Sequence, residues 1–307
     1  MAEWIDLIDP TEEQVREAFP HELEQSVLEA LTTPTDPDGR TRPKLRGHGG
    51  YVFGVFLLCV LDAERDQLSY QEIDLLLTRE KMVTVRKTPP DGRPLFDLRN
   101  VQEVCSSREH VPPGMVAYHV VDEVAEGYID LADGIDDEID ELEEHIEDWS
   151  RDRLQGRISQ IRHDLLHIRR TLAPTRDAVR GVVDGRIDID AGLLRREVFP
   201  EEVERAFGRV LDKLTRATES LEFARDLLAG VRDYHATQIA TDQNEVTKRL
   251  AAMASLLLFP TFIVGVYGQN FDHMPELHWR FGYAYSWGLI AVITLAQVVF
   301  FRKRNWL

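Results

Sequence analysis

Basic residues, cysteines and metal-ligand spacings are all scarce in this chain. Of 307 residues, 36 are Lys or Arg against 54 Asp or Glu, a formal charge of −18 at pH 7. Nucleic acid calls for a basic face, so this balance argues for no nucleic-acid partner. It suits a protein that stays soluble or draws cations toward itself. Cysteine is limited to Cys59 and Cys105, far apart and without C-x-x-C or metal spacing. They read as a pair of ordinary buried thiols in a reducing compartment. The opening MAEWIDLIDPTEEQ has no basic stretch leading into an apolar core, so no signal or transit peptide is visible and the N-terminal domain is expected in the cytoplasm. His48-Gly49-Gly50 and the scattered Ser, His and Asp residues form no nucleophile, phosphate-binding or metal-ligand pattern, so enzymatic activity is not expected.

The long apolar runs are confined to the C-terminal end. Leu250 to Tyr267 (LAAMASLLLFPTFIVGVY) carries no charge. At about 18 residues and 1.5 Å per residue it would cross roughly 27 Å of hydrocarbon. Phe281 to Phe301 is a second such run, of about 21 residues. Tyr267, Phe281, Tyr283, Tyr285 and Trp287 would gather at one membrane interface. Lys248 and Arg249 precede the first run and Arg302, Lys303 and Arg304 follow the second, whereas the connecting loop has only Arg280, beside Asp272 and Glu276. The positive-inside rule then places both flanks in the cytoplasm and the loop outside. The expectation is a multi-pass protein of the lipid bilayer, in the plasma membrane (prokaryotic inner membrane), with both termini cytoplasmic.

Ahead of the spans, residues 1–115 read as a cytoplasmic α/β domain. Asp9, Pro10 and Glu12 are expected to cap and open a helix. Tyr51–Leu61, Ile73–Thr78 and Met82–Arg86 read as strands, and the Pro- and Gly-bearing segments at 33–44 and 88–94 as loops. Pro112-Pro113-Gly114 ends the strand signals. From Val121 an apolar stripe steps by three or four residues through Val124, Tyr128, Leu131, Ile135, Ile139, Leu142, Ile146 and Trp149. The rest of that helix is acidic, and no Lys or Arg lies between His119 and Ser150. Each acid alone reads as a solvated face, but together they should concentrate cations. A second helix from about Asp152 to Val183 completes an acidic antiparallel hairpin at 116–199. Residues 200–267 read as one helix, on the order of 100 Å long, continuing into the first span. A rod of that length calls for self-association. An outer loop at 268–280, the second span at 281–301 and a basic cytoplasmic tail at 302–307 close the chain. The fold class expected is an α+β cytoplasmic domain followed by long helices and a two-span C-terminal transmembrane hairpin, in a homo-oligomer.

If copies of the long helix surround an axis, one face collects Asn244, Thr247, Ala251, Ala254, Leu258, Thr261 and Gly265 and leads to Gly268-Gln269-Asn270. Small residues at this spacing also serve close helix packing, but the Asn residues at the two ends favour pore lining. Mg²⁺ gives up its waters reluctantly, so neutral oxygens offered to those waters suit it. A ring of Asn270 amides with Gly268 carbonyls would hold it outer-sphere, as a selectivity filter. Leu250 and Leu258 would serve as dewetting constrictions. Zinc would want Cys or His, and 244–270 contains neither.

Tyr267-Gly268-Gln269-Asn270-Phe271 followed by Met274-Pro275-Glu276-Leu277 resembles the CorA family of divalent-cation channels, whose signature is Tyr-Gly-Met-Asn-Phe and a Met-Pro-Glu-Leu loop. Asn244-Glu245-Val246, Pro260-Thr261, Trp4-Ile5-Asp6-Leu7 and Arg42-Pro43-Lys44 carry the likeness over essentially the whole chain. The resemblance implies a homopentamer whose first transmembrane helix lines the pore. It also implies acidic helices in a cytoplasmic funnel, and a basic ring supplied by Arg302, Lys303 and Arg304, with Lys248 at the same level. Mg²⁺ is the implied cargo, with Co²⁺, Ni²⁺ or Zn²⁺ as other candidates. Two departures stand out. Gln269 replaces the signature Met, in a place where the zinc-transporting branch carries Ile. Phe207-Gly208-Arg209-Val210-Leu211-Asp212 replaces the Phe-Arg-Asp-Val-x-Asp of magnesium-sensing members, and an Arg there would repel a regulatory cation. The alternatives are a zinc transporter of the same superfamily, drawing on Gln269, Arg209, His273 and His278, and a membrane-tethered scaffold that conducts nothing.

Overall fold

The computed structural model describes residues 3–35, 41–62, 67–89, 95–107, 111–187, 198–269 and 274–306. By contact density the chain divides into two units, Met1–Val231 and Arg232–Leu307.

The first unit is built on a sheet of β1 (Glu3–Ile8), β2 (Lys44–His48), β3 (Tyr51–Asp62), β4 (Gln67–Leu77) and β5 (Lys81–Arg86). Their spatial order is β1-β5-β4-β3-β2, with β1 parallel to β5 and the other neighbours antiparallel. Tyr51–Leu61 reads as an almost unbroken apolar run because the sheet is covered on both faces. Tyr51, Phe53 and Val55 pack with Val15 and Phe19 of α1 (Glu12–Ala18) and its neighbour, and with Val27, Leu28 and Leu31 of α2 (Gln25–Thr32). Val52 and Phe56 point the other way, into a core shared with α3 (Arg99–Ser106), α4 (Pro113–Glu144), α5 (Arg151–Val183) and the first half of α6 (Glu201–Tyr267). His48-Gly49-Gly50 is the β2–β3 hairpin: His48 pairs with Tyr51, and the two intervening glycines have φ of 29° and 110°. Positive φ at both loop residues is why glycine stands there.

Several local expectations are corrected. The cap of α1 is Thr11, whose hydroxyl accepts from Gln14 N while the Gln14 side chain accepts from Thr11 N, a complete capping box. Asp9 lies outside the helix at φ 45° and its carboxylate instead accepts from the Thr88 backbone N–H at 2.9 Å. The strand expected at Ile73–Thr78 is the C-terminal half of β4, which begins at Gln67. Strands β1 and β2 and helices α2 and α3 carried no expectation. Beyond its parallel ladder with β5, β1 is tied by side chains: Arg86 grips Asp6 (Nη2–Oδ2 2.5 Å), and Thr84 Oγ1 donates to the same carboxylate at 2.7 Å. The stripe that ran on to Trp149 is interrupted, because α4 ends at Glu144 and Ser150 caps α5 by accepting from Arg153 N. Trp149 remains packed, between the His145 ring and the Arg153 guanidinium. Of the cysteines, Cys59 is buried and Cys105 only half-buried.

One charged cluster is enclosed on the α1/α2 face of the sheet. Lys87 Nζ lies 2.5 Å from Glu72 Oε1 and 3.1 Å from Asp74 Oδ2, and donates to the Ala30 carbonyl at 2.6 Å. Burial raises the Asp74 carboxyl to about 8, with the Glu72 charge adding and Lys87 opposing.

In the second unit, the C-terminal part of α6 is followed by a 3₁₀ turn (Pro275–His278) and by α7 (Gly282–Lys303). α6 is a single 67-residue helix with Pro260 inside it.

Candidate functional site

Only 11% of the apolar window of α6 and 6% of that of α7 is buried by the rest of the chain. Core helices of a soluble protein would be covered; these present their apolar surface outward. Leu257 is 72% exposed, Phe262 67% and Val264 60%. Patches of that kind mark a membrane or a subunit contact. At the start of α7, Tyr283 packs edge-on to Trp287 at 6.4 Å, and Trp279 lies 5.8 Å from Tyr285. Their amphipathic rings suit an interface belt.

The residues expected to line a path fall on one open face of α6. Asn244, Thr247, Leu250, Ala251, Ala254, Leu258, Thr261 and Gly265 are all exposed. The covered side of the same helix is marked by Ala252, Ile263 and, half-buried, Ser255, Leu256 and Val266. The stripe lies about 130° around the helix from that side, at roughly 100° per residue. A Cβ placed on Gly265 would meet nothing within 4 Å. Thr247 Oγ1 donates to Gln243 O at 2.8 Å, and Thr261 Oγ1 to Leu257 O at 2.7 Å. With their protons turned back into the helix, both hydroxyls offer the open face only lone pairs. That is the polarity a hydrated cation meets favourably. Leu250 and Leu258, 61% and 66% exposed, are the large apolar side chains of this set.

At the end of α6, Gly268 N–H donates to Val264 O at 2.9 Å and Gln269 N–H to Val266 O at 3.3 Å. Both residues are exposed. Asn270 and Asp272 lie outside the described residues, as do Phe271 and His273. Glu276 is exposed on the 3₁₀ turn, and Lys248, Arg302, Lys303 and Arg304 are exposed beside the apolar windows. Arg304 rests over the Phe300 ring at 5.8 Å. Within one protomer, then, the described residues from Asn244 to Gly265 share a face and do not converge on a pocket. Among the described residues no group of three or more His, Cys, Asp or Glu is placed to hold a metal.

Two further residues of this unit carried no sequence signal. Gly282 opens α7 beneath the outer turn, and a Cβ there would come within 2.1 Å of the Glu276 carbonyl oxygen. Gln297, inside the second apolar run, donates to the backbone of α6. A glycine in a loop and a lone amide in an apolar run are the only hints, and neither has a period.

In the first unit the acids of α4 divide by face. Lys213 of α6 bridges Asp122 (2.6 Å) and Glu126, and Ser220 donates to Asp136 at 2.9 Å. Burial, with the neighbouring charges of Asp122 and Glu126, raises the Glu123 carboxyl, opposed by a hydrogen bond from Asn100. Asp130, Asp133, Asp137, Asp140, Glu141 and Glu144 stay exposed. Arg209 does not reach out as a free cation: its guanidinium lies over the Tyr118 ring at 5.4 Å and donates to the Tyr118 hydroxyl at 3.3 Å.

Comparison with known proteins covers the whole chain. A family model described as CorA-like Mg²⁺ transporter protein matches residues 2–303. The chain is 28% identical over 271 residues to the cobalt/magnesium transport protein CorA of Thermotoga maritima, covering 87% of this chain and 73% of the relative. It is 28% identical over 274 residues to the putative metal ion transporter YfjQ of Bacillus subtilis, covering 86% and 78%. Its fold matches the complete CorA magnesium transporter from Methanocaldococcus jannaschii with a TM-score of 0.78 at 17% identity, over 99% of this chain and 91% of that one.

Proposed function

Because the chain belongs to the CorA-like Mg²⁺ transporter family, and is thus a divalent-cation transporter and not an enzyme, we propose that it is a homopentameric channel carrying hydrated Mg²⁺ along the open face of α6. The chain crosses the prokaryotic inner membrane twice, with α6 and α7 as the spans and both termini in the cytoplasm. The observation that carries this reading is the uncharged stripe from Asn244 to Gly265, open on the face of α6 turned away from its covered side. Five such faces around an axis give a path of amide, hydroxyl and small aliphatic groups. The oxygens of Asn244, Thr247 and Thr261 accept from the ion's own waters, so the ion is never stripped. Leu250 and Leu258 narrow the path with rings that water leaves easily.

At the outer end, Gly268 carbonyls and Asn270 amides form the filter, with Gln269 between them and Asp272 and Glu276 drawing cations to the mouth. At the inner end, Lys248, Arg302, Lys303 and Arg304 form a positive collar that raises the barrier to a cation until the path opens. Co²⁺, named with magnesium for the Thermotoga relative, holds a similar octahedral water shell and serves as a second cargo.

Purified protein in proteoliposomes loaded with a Mg²⁺-sensitive dye tests this directly. Wild type should carry Mg²⁺ and Co²⁺ down an imposed potential, and Asn270→Ala should reduce that flux to the level of empty vesicles. Undiminished flux in Asn270→Ala overturns the filter. Zn²⁺ carried in preference to Mg²⁺ makes the chain a zinc transporter, and no flux of any divalent ion leaves a membrane-tethered scaffold.

A further inference from the structure

Polar side chains inside membrane spans are costly and need a reason. Gln297 of α7 is such a residue, half-buried against α6. Its Nε2 donates to the backbone carbonyl oxygen of Ser255 at 3.3 Å. A carbonyl can only accept, so this contact fixes which end of the amide faces α6. Its Oε1 is enclosed and has no hydrogen-bond partner among the described residues. The amide is therefore held for what its nitrogen does.

Ser255 lies in the turn of α6 that precedes Pro260. Proline has no N–H to give the carbonyl four residues back, Leu256, and its ring crowds that carbonyl. This turn is where the helix is shortest of its own donors. Two side chains supply bonds on either side of the deprived carbonyl. Gln297 donates to Ser255 O from the second span, and Thr261 Oγ1 donates to Leu257 O from within α6. Membrane helices tolerate proline where neighbours provide such bonds. The stripe residues Leu258 and Thr261 sit within the same two turns, so the local geometry there decides how they face the path.

We infer that Gln297 is a positioning residue: its amide ties α7 to α6 at the Pro260 turn and thereby sets the orientation of Leu258 and Thr261. The inference rests on the reading that α6 lines the ion path.

The test is a double-mutant cycle in the full-length protein, read as Mg²⁺ uptake into proteoliposomes. Gln297→Met keeps length and volume and removes the donor. It should lower uptake by roughly three- to fifteenfold, the range of one interhelical hydrogen bond in a membrane. Pro260→Ala gives Leu256 O its N–H back and removes the ring that crowds it, so the turn no longer depends on a tie to the neighbouring carbonyl, and adding Gln297→Met should change uptake less than about twofold. An equal loss in both backgrounds would make Gln297 a packing residue and overturn the proposal, as would no loss in the first. Should Pro260→Ala be inactive by itself, hydrogen exchange across residues 255–263 in detergent decides. Exchange must quicken with Gln297→Met beside proline and not beside alanine; any other pattern overturns the latch. Wild type without any Mg²⁺ flux would sink the channel reading alone, because the exchange measurement still stands.

Discussion

Gly282→Ala should impair transport although it adds only one methyl group, at the turn that joins α6 to α7. A Cβ on residue 282 would stand 2.1 Å from the Glu276 carbonyl oxygen and 3.2 Å from the carbon of that carbonyl. Ordinary contact needs roughly 1 Å more than the first of these. The colliding atom is backbone, so no rotamer change relieves it. The 3₁₀ turn Pro275–His278 is also tied to α7 through Gly282 N–H to Trp279 O, 3.0 Å, and cannot slide away freely. Overpacking of this kind costs about 1–3 kcal/mol, which lowers the population of the native turn by roughly 5- to 150-fold. In a pentamer the strain recurs in every subunit. Because the turn belongs to the short segment joining α6 to α7, its displacement should be felt first at the adjoining end of α6.

The assay is initial Mg²⁺ uptake against external concentration, beside Gly288→Ala on the same helix, where an added Cβ meets nothing within 4 Å of the protomer. Gly282→Ala should lose at least fivefold in uptake while the melting of the soluble unit stays put. Gly288→Ala should remain within about twofold of wild type, since alanine is the better helix former. Wild-type uptake by Gly282→Ala would refute the close approach and, with it, the rigid outer turn.

Lys87→Met should destabilise the sheet unit by about 3–5 kcal/mol, because it leaves the Glu72 carboxylate buried without its cation; the denaturant midpoint of the full-length protein measures it. The Asp74 carboxyl is raised to about 8 by burial, so the folded state holds a proton that the unfolded chain releases near pH 4. Stability from this group is therefore full below about pH 4 and declines as the pH rises to about 8. Asp74→Asn should flatten that decline, and an unchanged slope between pH 5 and 8 (approximate bounds from the same linkage) would refute the assignment. Arg209→Asp removes the guanidinium from the Tyr118 ring and puts a carboxylate three places before Asp212. It should make Mg²⁺ uptake sensitive to millimolar internal Mg²⁺ where wild type is not; equal sensitivity in both proteins would count against Arg209 as the cause.

What the sequence made legible is what repeats. The acidic helix, the long helix and the two apolar runs each declare themselves over many residues, through a period of three to four or an absence of charge. The proposed stripe from Asn244 to Gly265 rests on the same kind of repeat. β3 was readable because both of its faces are buried, which leaves an unbroken apolar run. β1 was not: Glu3–Ile8 is held by Asp6 to Arg86 and Thr84, partners some eighty residues away. β2 carries Lys44, Arg46 and His48, an edge strand with little hydrophobic pattern to read. Asp9 and Pro10 looked like a helix start, yet the box formed two residues later, at Thr11 and Gln14, and Asp9 went to Thr88. Both choices satisfy local capping, and only a contact across the sheet separates them.

The same distinction governs the C-terminal unit. A face can be inferred from periodicity because every turn repeats the evidence. A latch such as Gln297 to Ser255, or a close approach such as Gly282 to Glu276, occurs once and leaves one unusual residue in an otherwise ordinary run. In a membrane span, though, a single amide is conspicuous, because lipid gives it no bonds. Here the amide arrives one residue from the carbonyl that Pro260 deprives. Moving the donor one helical turn along α7, with Gln297→Leu and Phe301→Gln together, would carry it away from Ser255. Uptake should then stay as low as in Gln297→Met, and recovery would show that any amide in the span suffices.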